Sequence, residues 1–262
     1  MRRLVVHGGF HKTGTTSLQK TLKLNARLLV DHVEVHVQEN LWMVPLAEAV
    51  LEFSLARNPE TKARIRSEAR ALFATFDLDD PRPILISSEH LAGHMIGVGS
   101  VQRYVAGPIA MEILRDVWRE RAGAEAPFDL YYSTRREGWI ASCHWQRLKF
   151  KRCLLNLEDF AARYPLASDF DTILDMARAR LGAESVHAMA LDDMSHPIDP
   201  VLDLLELTHL RPVITLRHRV NAYPGGNARE ALLELNRSDL HGAPYIAARD
   251  AIISPAQHIP KP

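Results

Sequence analysis

Apolar positions in this chain fall in short runs separated by longer amphipathic stretches. Leu4-Val5-Val6-His7 is a short apolar run that ends on Gly8-Gly9, the pattern of a buried strand entering a tight turn. From Gly14 onward Leu18, Leu22 and Leu29 hold one apolar side of a helix, with Thr21 beside them and Asn25 interrupting the face. Val33–Val37 predicts a second strand. Pro45–Leu55 and Lys62–Phe76 predict two helices parted by Asn58-Pro59, with Pro45 tolerable only in a first turn. Pro83–Ser87 predicts a buried strand, and Pro108–Arg121 a helix started by its proline. Phe128–Ser133 is a further strand and Gly138–Phe150 a further helix. Helices are expected at Asp169–Leu181 and Pro200–Leu207, with a strand near Val186–Leu191 between them. After Arg211 the pattern loosens; Ala228–Asn236 predicts one more helix before a proline-punctuated tail.

Strands alternating with helices imply a central, mainly parallel sheet covered on both faces, an α/β three-layer fold with helical additions. No fixed-period repeat or low-complexity segment interrupts it. The expectation is one domain over residues 1–262, with a helical insertion at about 41–77 and a helical part and tail at about 211–262.

Composition narrows the classes of function. The 262 residues carry 32 basic and 32 acidic side chains. A balanced chain lacks the basic face that sequence-independent nucleic-acid binding relies on, so no nucleic-acid partner is expected. A hydrophobic fraction of 47% with 24% charged residues excludes a self-repelling disordered chain. Cys143 and Cys153, the only cysteines, cannot build a disulfide framework or a four-cysteine zinc site and are expected as free thiols. Three apolar residues before His7 fall far short of a signal-peptide core of about 7–15. No stretch approaches the roughly 18 apolar residues of a membrane span. A cytoplasmic protein without an integral membrane segment is expected.

Between the first strand and first helix lies Gly8-Gly9-Phe10-His11-Lys12-Thr13-Gly14-Thr15-Thr16-Ser17. A glycine-rich turn feeding a helix N-terminus aims several backbone N–H groups at one spot, and the helix dipole favours an anion there. Lys12 adds a full charge, and Thr15, Thr16 and Ser17 add hydroxyls, so the segment predicts a phosphate or sulfate cradle in a P-loop-like fold. A nucleoside-triphosphate loop requires G-x-x-x-x-G-K-[ST]. Gly9 and Gly14 have that spacing and Thr16 fits, but position 15 is threonine and the lysine lies two residues before Gly14.

That displaced lysine makes Gly9–Gln19 resemble the bacterial sulfotransferase family proteins that use 3′-phosphoadenosine-5′-phosphosulfate (PAPS), which carry K-[ST]-G-T-[ST] after the first strand. The resemblance implies that His11, Lys12, Thr13, Gly14, Thr15, Thr16 and Ser17 bind the donor's 5′ end. It also implies adenosine-3′,5′-bisphosphate as product, and a reaction without metal. Thr134-Arg135-Arg136-Glu137-Gly138-Trp139-Ile140-Ala141-Ser142 is similar to the family's 3′-phosphate segment, an arginine after a strand and a serine about eight residues later. Arg135 stands seven residues before Ser142 and Arg136 six, so either arginine is a candidate, with Ser142. Arginine suits the role because its fork donates two parallel bonds to a phosphate. Trp139 or Trp145 is a candidate to stack on adenine, against the commoner fate of core packing.

Ser87-Ser88-Glu89-His90 follows the predicted strand at 83–87, at the sheet edge where ligands bind in open α/β folds. Transfer to a hydroxyl needs a proton acceptor, and Glu89 is the first candidate, partly by position and partly because related glycan sulfotransferases use such a glutamate. His90, adjacent in sequence, is expected to point elsewhere; His94 and His11 are the alternatives. His7 is expected to be structural. No H-E-x-x-H or other metal-ligand spacing occurs. Arg217-His218-Arg219-Val220-Asn221 resembles an Arg-x-Asn stretch near the end of bacterial members. The resemblance implies transfer to a hydroxyl, or an amine, of a small-molecule, glycan or lipid acceptor, with a carbohydrate or glycolipid foremost. A P-loop kinase, for which Ala188–Asp192 would supply a magnesium-binding aspartate, and a non-catalytic nucleotide-binding protein are the alternatives.

Overall fold

The computed structural model describes residues 1–217 and 226–253. The elements begin with β1 (Leu4–His7), α1 (Thr15–Leu24), α2 (Ala26–Leu29) and β2 (Glu34–Val37). Next come α3 (Val44–Ala56), α4 (Pro59–Ala74), β3 (Ile84–Ser87), α5 (Ala106–Ala122) and β4 (Phe128–Thr134). Then follow α6 (Trp139–Lys151), α7 (Leu157–Arg163), α8 (Phe170–Leu181), β5 (Val186–Ala190) and α9 (Asp199–Leu204). The last two are α10 (Ala228–Arg237) and α11 (Gly242–Ile253). These elements pack as two compact units, Met1–Glu137 with Leu166–Val220, and Gly138–Pro165 with Asn221–Pro262.

The first unit holds a sheet of order β2-β3-β1-β4-β5, every pair parallel. The three-layer α/β fold expected from the pattern is therefore present. Because β1 leads leftward to β2 while β3 leads across it to β4, right-handed crossovers place their helices on opposite faces. Val5, Leu85 and Tyr131 accordingly pack with Leu18, Leu22, Leu29, Val201 and Leu202. On the other face Gly8 backs onto Leu130, Tyr132 and Met111 of α5. The reversal of direction at β1 makes its C-terminal end the switch point of the sheet, the place where ligands of such sheets bind.

Asn25, which broke the apolar face of α1, has a specific use. Its side-chain amide donates to the Thr215 carbonyl (2.8 Å) and its oxygen accepts from the Thr215 N–H (2.9 Å), while Thr21 Oγ1 accepts from the Arg217 N–H (3.1 Å). The two polar residues dock the 214–217 segment as a strand partner would. Helix α5 begins at Ala106, two residues before the proline expected to start it. Any of the first four positions tolerates proline, because none of their N–H groups has an intrahelical partner.

Helices α6, α7, α10 and α11 build the second unit. Trp145 and Leu148 pack with Leu232 and Leu235, flanked by Tyr245 and Ile252. Buried Asn236 donates to the carbonyls of Leu148 and Cys153 (both 3.0 Å) and accepts from Tyr245 Oη (2.6 Å), which closes the C-terminus of α6. Two helices there were not expected from the pattern: α7, capped by Asn156 accepting from the Asp159 N–H (2.7 Å), and α11. Residues 218–221 of the Arg-x-Asn stretch and 254–262 of the expected tail lie outside the described residues.

Candidate functional site

The loop between β1 and α1 is built from beneath by side chains of three neighbouring strands. His7 closes β1, and its Nδ1 lies 2.9 Å from Ser87 Oγ at the end of β3. Its Nε2 lies 3.2 Å from Ser133 Oγ near the end of β4. Ser133 Oγ in turn sits 2.7 Å from Thr13 Oγ1, which also donates to the Phe10 carbonyl (2.5 Å). All four residues are buried, and burial pushes His7 down to about 4 against the pull of Glu89. His7 is thus a neutral structural imidazole, as expected. A Cβ on Gly9 would strike the His7 ring and come within 2.6 Å of Ser133 Oγ, so glycine lets the loop lie against the network.

Aromatic packing fixes the loop from the side. Phe10 is fully buried, its ring centroid 4.7–4.8 Å from those of Tyr132, Tyr104 and Phe170. Lys12 adopts a left-handed backbone, φ 68°, a conformation that costs a non-glycine residue free energy and clusters at functional sites. Gly14 follows at φ 96° and closes the loop against Pro197 and Leu191, where a Cβ would come within 3.0 Å of either. The N-cap of α1 is Gly14, which has no side chain to cap it, and the first turn holds no acidic residue. The uncapped N–H groups and the dipole together favour an anion at this end.

Glu89 begins a 3-10 turn, Glu89–Ala92, that follows β3. Thr15 Oγ1 donates to its carboxylate, which ties the start of α1 to the candidate base. The Thr15 hydroxyl therefore serves Glu89, and that of Thr13 serves the loop; the anion donors left to them are their backbone N–H groups. Burial pushes Glu89 up, but His11, the Thr15 hydroxyl, His90 and Lys12 outweigh it and hold the carboxyl below its ordinary range. The group is an anion at neutral pH. Burial likewise lowers His11, to about 4, against the attraction of Glu89.

His90 departs from expectation. One nitrogen of His90, one of His11 and one Glu89 oxygen all lie within 4.8 Å of one another. Successive side chains alternate faces along a strand, but Glu89 and His90 stand on a 3-10 turn, whose tighter winding lets neighbours converge on one space. Outer partners hold both rings: Tyr104 Oη lies 3.1 Å from His11 Nδ1 and Gln38 Nε2 lies 3.3 Å from His90 Nε2. Tyr104, Gln38 and Ser133 were not expected in the site. Tyr104 has no pattern to announce it, and Gln38 arrives only through the pairing of β2 with β3.

Past β4 stand the two candidate arginines, Arg135 and Arg136. The Arg136 guanidinium pairs with Asp193, and the Arg136 backbone N–H donates to Asp192 (2.8 Å). Arg136 thereby ties the end of β4 to the turn after β5. In the second unit Ser142 Oγ donates to the Gly138 carbonyl (2.9 Å), and Trp139 and Trp145 are both buried.

No helix among the described residues is long and apolar enough to cross a membrane. No protein-family model and no curated protein matches the chain. Among solved structures it is similar to a sulfotransferase from Alicyclobacillus acidocaldarius, with 16% identity and a TM-score of 0.48 over 98% of this chain and 99% of that one. A likeness of that extent says nothing by itself about chemistry.

Proposed function

We propose that the protein is a PAPS-dependent sulfotransferase acting on an acceptor hydroxyl. The observation that carries this reading is a loop that holds Lys12 in a left-handed position two residues before Gly14 and leads into Thr15, whose hydroxyl holds the Glu89 carboxylate. A loop built to receive an anion thus delivers a proton acceptor beside it. Lys12 and the N–H groups of residues 13–17, with His11 alongside, would hold the donor's phosphosulfate end. Arg135 or Arg136 would take the 3′-phosphate, and the role of Ser142 rests on the sequence pattern alone.

The donor supplies an activated sulfuryl group. The acceptor oxygen bonds to sulfur as the bond from sulfur to the phosphate oxygen breaks, and the hydroxyl proton passes to Glu89. Lys12 and the loop N–H groups meet the negative charge gathering on the departing phosphate. Since Glu89 is already ionised at neutral pH, it needs no activation. The carbohydrate or glycolipid acceptor belongs to the same proposal.

The test is a thermal-shift panel with ATP, PAPS and adenosine-3′,5′-bisphosphate, each with and without Mg²⁺. The expected outcome is a rise in melting temperature with PAPS and the bisphosphate, independent of Mg²⁺ and lost in Lys12→Ala. A rise only with Mg²⁺-ATP would establish the kinase alternative instead. Asp192, which that alternative needs for its metal, accepts from the Arg136 N–H.

A further inference from the structure

His11, Glu89 and His90 come from two turns, after β1 and after β3, whose strands are paired in register from Leu4↔Ile84 to His7↔Ser87. Two imidazole nitrogens and one carboxylate oxygen, mutually within 4.8 Å, are a donor set of intermediate softness. It suits Zn²⁺ and its first-row neighbours rather than Mg²⁺ or Ca²⁺, which select oxygen ligands. Bonds of about 2.0–2.2 Å in a tetrahedral site put ligand atoms roughly 3.3 Å apart. Closing the set around an ion therefore takes side-chain movements of about an ångström.

A second feature matches such a site. Each histidine has a polar partner on one ring nitrogen, Tyr104 Oη at 3.1 Å for His11 and the Gln38 amide at 3.3 Å for His90. With those nitrogens on their outer partners, an ion would take His11 through Nε2 and His90 through Nδ1, and the outer groups would set tautomer and ring orientation. Gln38 can present either its nitrogen or, turned over, its oxygen. Glu89 is held in the same way by Thr15.

We propose that His11, Glu89 and His90 form a binding site for a zinc-like divalent cation, and that its occupancy inhibits transfer. The inhibition rests on the proposed function, because a carboxylate committed to a metal cannot take the acceptor's proton. Ion binding itself does not depend on that reading.

The experiment titrates tag-free, chelator-stripped full-length protein with Zn²⁺ in competition with a chromogenic chelator. One equivalent is expected to bind wild type, undisturbed by excess Mg²⁺. His90→Ala and Glu89→Gln should each weaken it at least about tenfold, and Tyr104→Phe by about tenfold, the lower end for an outer-shell partner. Melting curves identify any variant that fails to fold, in which case His90→Gln and His11→Gln replace it. Absence of stoichiometric binding, or equal affinity in wild type and the ligand variants, would overturn the site. Bisphosphate binding, measured separately, keeps the two readings apart: zinc without bisphosphate supports this site and sinks the transferase reading, and bisphosphate without zinc does the reverse.

Discussion

The two ends of the central sheet solve opposite problems with the same strands. Just before β1, the side chain of Arg2 is fully buried and pairs with Glu34 and with Asp80 (3.4 Å). It also donates to the carbonyls of Arg82 (2.7 Å) and Asp77 (2.6 Å). Charge there is cancelled where it stands, and the guanidinium staples β1 to the segments that lead into β2 and β3. At the opposite end β1 and β3 terminate in His7 and Ser87, which join Ser133 near the end of β4 in a network of neutral groups. The charged groups Lys12 and Glu89 are carried above that neutral scaffold. One end uses ion pairs to hold strands in place; the other keeps its frame uncharged, so that the charges set on it can answer to a ligand.

The sharpest way to break this contrast is at Lys12. Lys12→Ala should cost about 3 kcal/mol of transition-state stabilisation, the usual penalty for one preorganised donor, and read as a fall of two to three orders of magnitude in kcat/KM. Thermal stability should change far less than activity, because alanine carries the same left-handed backbone cost as lysine. A variant that loses melting temperature in proportion to activity would place Lys12 in the scaffold instead.

Next in size is the acid response of the neutral frame. His7 is lowered to about 4 in the folded chain against about 6.5 when unfolded, so the unfolded state binds the extra proton first. Its stability contribution is complete above pH 6.5 and declines as pH falls toward 4, by on the order of 3 kcal/mol. The nearby charge of Glu89 opposes the shift and the Ser87 and Ser133 hydroxyls face the ring; His11, lowered in the same direction, adds to the same window. Chemical denaturation from pH 7 to 4.5 should show a slope that His7→Gln reduces by about one proton. An unchanged slope would mean that His7 is charged in the fold.

Much of this scaffold was legible in the sequence, for reasons that explain the gaps. Four of the five strands are short, largely apolar runs set off by glycine or proline, β2 shows instead as Val33, Val35 and Val37 alternating with polar residues, and the loop after β1 gives itself away by composition. Tertiary partners were what could not be read. Asn25 looked like a flaw in a helix until Thr215 arrived to pair with it, and the convergence of His90 on Glu89 depends on a 3-10 turn that no periodicity signals in four residues. Helix α7 does carry local signals, the cap at Asn156 and the acidic first turn of Glu158 and Asp159, but its seven residues are too few to show a helical period.

At the stapled end, Arg2→Met tests the other half of the comparison. Removing the guanidinium leaves Glu34 and Asp80 without their buried partner. Complete burial would make that loss worth about 3–5 kcal/mol. Both carboxylates keep some solvent contact, so roughly 2 kcal/mol is expected in urea denaturation. Bisphosphate affinity should be unchanged within about twofold, since the partners of Arg2, namely Glu34, Asp77, Asp80 and Arg82, all lie at the N-terminal ends of the strands. A large loss of affinity at equal stability would show that the two ends communicate, and the division of labour drawn here would fail.

Ser133→Ala probes the neutral frame at its thinnest point, the hydroxyl shared between His7 Nε2 and Thr13 Oγ1. The Thr13 hydroxyl keeps its bond to the Phe10 carbonyl, and His7 keeps Ser87, so only the link between them goes. One buried hydrogen bond of this kind is worth about 1 kcal/mol, and stability should fall by that amount. If the network merely fills space beneath the loop, bisphosphate affinity will not move. If it sets the position of residues 12–14, affinity should fall about fivefold, the same energy read through the ligand. Ser133→Thr restores the hydroxyl, and recovery of affinity in that variant would assign the effect to the hydrogen bond, since a bulkier side chain at this buried site can only loosen the packing.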